Sequence, residues 1–285
     1  MINRVLKNIW VKSLWRAAQQ FNHKNHWVMS SHIAMSMMLA LFPFVLFTVA
    51  LAGTMASVFS QGIDLDHLVD LVFGSWPEPV STPIVSELNA VLATSSTGLI
   101  TIGGFLALYF ASNGVNAVRI AMVQAYHDVD RRPFWLSRIL CIGFVILGGA
   151  GILFAALFEV ILPLYLHYLA DFFPEVELSG YLTSGLHGLV AVLLPFFAVF
   201  LCHLVLPGHI HRLSHLLPGT VLTVALWWGA GIGFAFYVGS IAQYSATYAG
   251  LAGAMAAMIF LYVNAAILIF GAEFNNALIE LRLTA

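Results

Sequence analysis

Apolar residues in this chain fall into two kinds of pattern. Over residues 2 to 21, Ile2, Val5, Leu6, Ile9, Trp10, Leu14, Trp15 and Phe21 recur at helical spacing, with the bases largely on the other face. That spacing predicts an amphipathic helix lying at a membrane interface. Beyond it come six near-continuous apolar stretches, near 29–54, 98–119, 139–162, 184–206, 218–240 and 250–272. Each is long enough to cross roughly 30 Å of hydrocarbon as a helix of about 20 residues. The expected fold class is all-α: a polytopic membrane protein with six transmembrane helices and an N-terminal amphipathic interfacial helix. The expected organisation is 1–27 for the interfacial helix, 28–276 for the six-helix domain and 277–285 for a tail. An acidic segment over 59–97 lies between the first two spans. Within it, Leu65, Leu68, Val69, Leu71, Val72 and Phe73 suit a short surface helix, which Pro77, Pro79 and Pro83 then break.

Composition agrees, since hydrophobic residues make up 61% of the chain and charged residues only 8%, a balance unsuited to a soluble domain of this length. Charge then orients the bundle. All eleven Lys and Arg fall before the first span, in alternate loops or at the C-terminus, whereas the intervening loops carry Asp64, Asp66, Asp70, Glu78, Glu87, Asp171, Glu175 and Glu177 without a base. Basic loops stay on the cytoplasmic side during insertion, so both termini are expected inside. The first apolar run follows a basic segment and is long enough to span, so it reads as a retained span and not as a signal peptide. Cys141 and Cys202 lie near expected inner ends, where thiols stay reduced, and read as small core residues. The sorted charge gives no support for nucleic acid as a partner; membrane lipids, a second copy of the chain or another membrane protein are the partners expected.

Polar groups inside the apolar stretches mark the candidate chemistry: Asn113 and Asn116 in the second span, Glu159 in the third, Asn264 in the sixth, and Glu273 with Asn275 at its inner end. An ionisable group in hydrocarbon costs about 3 kcal/mol or more on insertion scales, so it usually faces a partner or a wet cavity. These six form the candidate substrate pathway. For Glu159 an interfacial carboxylate is the competing reading, and for the asparagine pair, which shares one helix face, interhelical hydrogen bonding. Pro43 and Pro195 interrupt spans and are candidate hinges. Gly229 with Gly233, and Gly250 with Gly253, are candidate helix-packing positions. His209, His211 and His215 share one loop with His203 nearby, a spacing too unspecific for a metal site. No phosphate-binding glycine loop, HExxH or GxSxG occurs, so neither an enzymatic activity nor a cofactor is expected.

From about Leu206 to Asn276 the order of residues resembles the YihY/BrkB family of bacterial inner-membrane proteins, once labelled ribonuclease BN. The resembling stretches are Leu206-Pro207, Pro218-Gly219, Phe236-Tyr237, Tyr244 and Tyr248 before Gly250-Leu251, Tyr262, and Gly271-Ala272-Glu273-Phe274-Asn275. Ser36 to Pro43 and Asn113 to Arg138 fit its weaker N-terminal pattern. Phe260 stands where the family often has Trp, and Tyr248-Ala249-Gly250 replaces Tyr-Gly-Ser. The resemblance implies six spans with inner termini, in the bacterial inner membrane. The expected function is a transporter-like protein moving or binding a lipid or envelope precursor. A non-transporting scaffold is the alternative, and a membrane-bound ribonuclease comes last, because the inner loops carry few bases for tracking RNA.

Overall fold

The computed structural model describes the backbone of residues 2–59, 97–172, 178–241 and 245–283, and side chains over a smaller set. Its described residues form seven helices: α1 (Ile2–His23), α2 (His26–Phe59), α3 (Thr97–Ala125), α4 (Phe134–Phe172), α5 (Leu178–Val205), α6 (Leu213–Ile241) and α7 (Ser245–Leu283). Each of the six expected spans lies within one of α2 to α7, apart from residue 206, one position past the end of α5. Five helices are long and apolar enough to cross a membrane, over His26–Val45, Gly104–Ala125, Phe134–Ala155, Leu213–Tyr237 and Gly253–Leu283, and α5 adds a shorter apolar run, Val192–Val205. The acidic 59–97 segment and its candidate surface helix lie outside the described residues, except Phe59 and Thr97.

Packing is arranged for lipid. Small residues line the interior: Ala117, Ala121 and Ala125 repeat every fourth position of α3, all buried, with Ala265 and Ala272 of α7 in the same core as Ile33, Leu206 and Ile269. Large apolar side chains point outward, among them Phe105, Phe154, Trp228 and Phe236, the last 83% exposed. In water such a surface drives association; in a bilayer it is the expected solvent-facing side, and small residues let helix backbones approach.

The closest such approach is between α6 and α7. A Cβ on Gly219 would overlap the Gly271 carbonyl oxygen, and one on Gly271 would overlap Thr223 Oγ1. By contrast, Gly229 and Gly233 have no atom of the described residues within 4 Å of where a Cβ would stand. Gly253 is buried, and Gly250 lies on α7 with its surroundings outside the described residues. The helices run unbroken through Pro43 and Pro195, although Pro43 has no N–H to offer the carbonyl one turn before it.

Within the segment 277–285, α7 continues to Leu283, and Ala277 and Leu278 are buried. They are buried because α1 packs on α7: Ala17, Phe274 and Leu278 form a small core with Ile9 and Phe270, and Trp10 meets the Phe274 ring at 5.9 Å. The apolar residues of α1 are thereby divided. Ala17 and Phe21 serve this helix contact, while Val11 and Trp15, 61% and 69% exposed, face away from it.

Candidate functional site

Two of the sequence-marked residues, Glu273 and Asn275, stand at the centre of a polar end of the bundle, where the end of α3, the start of α6 and the α1–α2 turn meet α7. Glu273 is fully buried. Its Oε1 accepts from His26 Nε2 at 2.7 Å, and both side chains are wholly shielded. Lys24 Nζ lies 3.7 Å from the same oxygen. Its Oε2 has no hydrogen bond among the described residues and stands 3.4 Å from His127 Nε2. His127 also bonds Lys24 and approaches Glu280 Oε1 at 3.4 Å, while Arg16 of α1 pairs with Glu280. A charge removed from water is tolerated only when paired in this way.

The backbone explains how Lys24, His26 and His127 reach the carboxylate. Asn25 and His127 have φ of 54° and 55°, the non-glycine residues with positive φ among those described. Asn and His enter the left-handed region more readily than most residues. At Asn25 the chain leaves α1 and starts α2 within two residues; at His127 it leaves α3 and turns its imidazole to α7. Backbone outliers of this kind gather where a site imposes the conformation.

Asn275 fastens a second set of groups. Its Oδ1 accepts from the Gly219 N–H at 2.6 Å, and its Nδ2 donates to the Leu216 carbonyl and to Tyr126 Oη, each at 2.9 Å. Tyr126 in turn bonds His203 Nδ1 at 2.8 Å and stacks on the His211 ring at 4.8 Å. His203 is buried, and its Nε2 has no partner among the described residues. Burial pushes the Tyr126 phenol well above its ordinary range, because ionisation here would strand a charge out of water; the Asn275 hydrogen bond opposes this and the nearby Asp128 adds to it.

Asn113 and Asn116 each hold an arginine. Arg138 donates to Asn113 Oδ1 at 2.8 Å and to Ser112 Oγ at 2.7 Å, with its guanidinium 4.2 Å over the Tyr109 ring. Arg119 donates to Asn116 Oδ1 at 3.1 Å and pairs with Asp130. Asn264 stands apart: its Nδ2 donates to the Phe260 carbonyl one turn back, its backbone carbonyl accepts from Trp227 Nε1, and it lines an apolar groove of about 250 Å³ between α6 and α7 with Gly233 and Tyr237. The side chain of Glu159, on α4, lies outside the described residues.

The sequence pattern did not single out His26, Tyr126 or His127, which complete these networks. A histidine opening an apolar run was the available signal for His26. Three of the four grouped histidines stay close: His203 and His211 both meet Tyr126, and His209 and His211 each lie 3.3 Å from Asp128. No set of three His, Cys, Asp or Glu among the described residues is placed to hold a metal ion.

Comparison with known proteins assigns the whole assembly. The family model described as virulence factor BrkB matches residues 17–285. The chain is similar to the ribonuclease-like protein YfkH of Bacillus subtilis (strain 168), 26% identical over 87% of this chain and 88% of that protein. It is also similar to a UPF0761 membrane protein of Alkalilimnicola ehrlichii, 29% identical over 85% of this chain and 52% of that protein, and to one of Tolumonas auensis, 35% identical over 38% and 35%. The chain therefore spans about half or less of these UPF0761 proteins. No solved structure matches. With its apolar helices and a match from α1 to the end of α7, the chain belongs to the BrkB family of membrane proteins.

Proposed function

We propose that the protein is a six-span transporter of the bacterial inner membrane, with both termini cytoplasmic, that binds or moves a lipid or envelope precursor. On this reading α5 supplies the remaining span, fourth in chain order, and the polar end around Glu273 is a closed cytoplasmic gate. The observation that carries the proposal is the buried Glu273–His26 pair, whose second carboxylate oxygen has no hydrogen bond and whose contacts tie α1, α2 and α3 to α7. An intramembrane carboxylate of this kind is a functional site by default, and an incompletely bonded one has capacity for a second arrangement. Asn113, Asn116 and Asn275 contribute to the same end; Asn264 and Glu159 extend the pathway, and Pro43 and Pro195 act as hinges.

Reconstitution into liposomes tests the reading. Headgroup-labelled phospholipid on one leaflet should exchange faster than in protein-free vesicles, and Glu273→Gln should change that rate severalfold. Equal exchange with wild type, Glu273→Gln and empty vesicles removes it.

One observation favours a scaffold instead: Gly229 and Gly233, one turn apart on α6, meet no atom among the described residues, so a helix of another molecule would fit there. Crosslinking in native membranes separates the two, because a partner in fixed ratio that is lost on changing Gly229 and Gly233 to Leu supports the scaffold. The nuclease reading, suggested by the name of the Bacillus subtilis relative, requires RNA cleavage by the pure protein that disappears without His209, His211 and His215.

A further inference from the structure

Charge at the junction of α3, α4 and the 206–212 loop is not balanced. Arg119, Arg131, Arg132, Arg138 and Arg212 gather there against two carboxylates, Asp128 and Asp130. Both carboxylates are already engaged. Asp130 pairs with Arg119 and takes the Arg132 backbone N–H at 3.0 Å, while Asp128 accepts from the His209 N–H at 3.1 Å and from His211. The cations are close along one face: Arg119 and Arg138 hold Asn116 and Asn113, three residues apart on α3, and Arg132 stands near the same Asp130 that pairs with Arg119.

Three of these guanidiniums keep unused donors. Arg138 meets only neutral partners among the described residues, Ser112, Asn113 and the rings of Tyr109 and Phe134. Arg132 stands 3.9 Å from Asp130 Oδ1 and gives one amino group to the Pro207 carbonyl at 2.6 Å, but its Nη1 is buried without an acceptor among the described residues. Arg131 is exposed and has no partner among the described residues. The first turns of α4, which carry Arg138, also carry an apolar shelf: Trp135 and Ile139, one turn apart, are 75% and 65% exposed, and Tyr109, under the Arg138 guanidinium, is 45% exposed. Unsatisfied guanidinium donors above exposed aromatic and aliphatic side chains match the two halves of a phospholipid at the headgroup level.

We infer that Arg138, Arg132 and Arg131 form a binding site for the phosphate of an anionic membrane lipid, with its upper acyl chain on Trp135 and Ile139. A free anion would need the guanidiniums but not the shelf. The site rests on the membrane reading of the bundle and not on transport. Lost lipid exchange with this site intact removes transport alone, and preserved exchange without this site removes the site alone.

Native mass spectrometry of the full-length protein in mild detergent tests the inference, titrating phosphatidylglycerol, phosphatidylcholine or inorganic phosphate. Wild type should bind one phosphatidylglycerol about tenfold more tightly than phosphatidylcholine, the scale of a charge-assisted hydrogen bond to a guanidinium. Arg138→Gln should abolish the preference, and Lys12→Gln, on exposed α1 away from the site, should keep it. Arg131→Gln removes no internal contact, so its folding is secure, and it should lower the preference about threefold. Retention of the full preference by Arg138→Gln or Arg131→Gln overturns the site. Inorganic phosphate displacing the lipid at equal concentration overturns its assignment to lipid.

Discussion

His26 Nε2 lies 2.7 Å from Glu273 Oε1 across 247 residues of sequence, and neither side chain is exposed. The pair joins the start of the first long helix to the middle of the last, with Lys24 and His127 completing the charge around it. Removing one member of a buried pair leaves an uncompensated charge or an orphaned donor, at a cost of about 3–5 kcal/mol. Glu273→Ala should therefore lower the melting temperature in detergent steeply, and His26→Ala comparably. Unchanged melting in both would show that the pair holds nothing together.

Asn275 serves three acceptors and donors at once: the Gly219 N–H, the Leu216 carbonyl and Tyr126 Oη. Asn275→Leu removes all three bonds; Tyr126 Oη keeps His203 and the Leu216 carbonyl keeps the Thr220 hydroxyl, while the Gly219 N–H loses its Asn275 acceptor. The expected loss is about 2–4 kcal/mol, read as a lowered denaturation midpoint. Asn264→Leu, at a side chain bonded within its own helix, should cost less than 1 kcal/mol by the scale of single hydrogen bonds.

Glycine substitutions should divide by location. Gly219→Ala and Gly271→Ala force a methyl into backbone and side-chain atoms across the α6–α7 crossing, for which overpacking costs of about 3 kcal/mol or more are expected. Gly229→Ala and Gly233→Ala meet open space and should change stability by about 0.5 kcal/mol at most. A large loss at Gly229 or Gly233 in purified monomer would contradict the packing described.

High pH should loosen the same end of the bundle. Tyr126 keeps its proton in the folded chain well beyond its ordinary value of 10.0, whereas the unfolded chain releases it there. Its contribution is therefore complete below about pH 10 and declines as pH rises further. Melting measured from pH 8 to 11 should fall at the alkaline end, and Tyr126→Phe should flatten that fall while lowering stability throughout. An identical alkaline slope in the variant would remove Tyr126 as its cause.

The helices were legible because a bilayer imposes a simple rule, about 20 apolar residues per crossing; among the described residues five helices obey it and α5 offers a shorter run. Asn113 and Asn116 were readable as one face because three residues return to the same side of a helix; the Asn116–Arg119 bond is local in the same way, whereas Arg138 reaches Asn113 only because α3 meets α4. The Gly229 and Gly233 spacing looks like a packing motif, yet the tight crossing uses Gly219 and Gly271, which stand on different helices and share no periodic signal. The Glu273 network was hidden for the same reason, since His26, His127 and Glu273 meet only when three distant helix ends are brought together. The division of α1 was partly visible in its pattern, but α7 was not visible as the surface it packs on.

The most direct test of the proposed gate is the distance between α1 and α7. Nitroxide labels at Gln19→Cys and Leu283→Cys, both exposed, in a Cys141→Ala, Cys202→Ala background, would report it by double electron–electron resonance in lipid nanodiscs. The account predicts a single short distance distribution for the wild-type pair, and a second, longer population when Glu273→Gln is added. The same single distribution with and without Glu273→Gln would contradict it, leaving the polar end a fixed clasp.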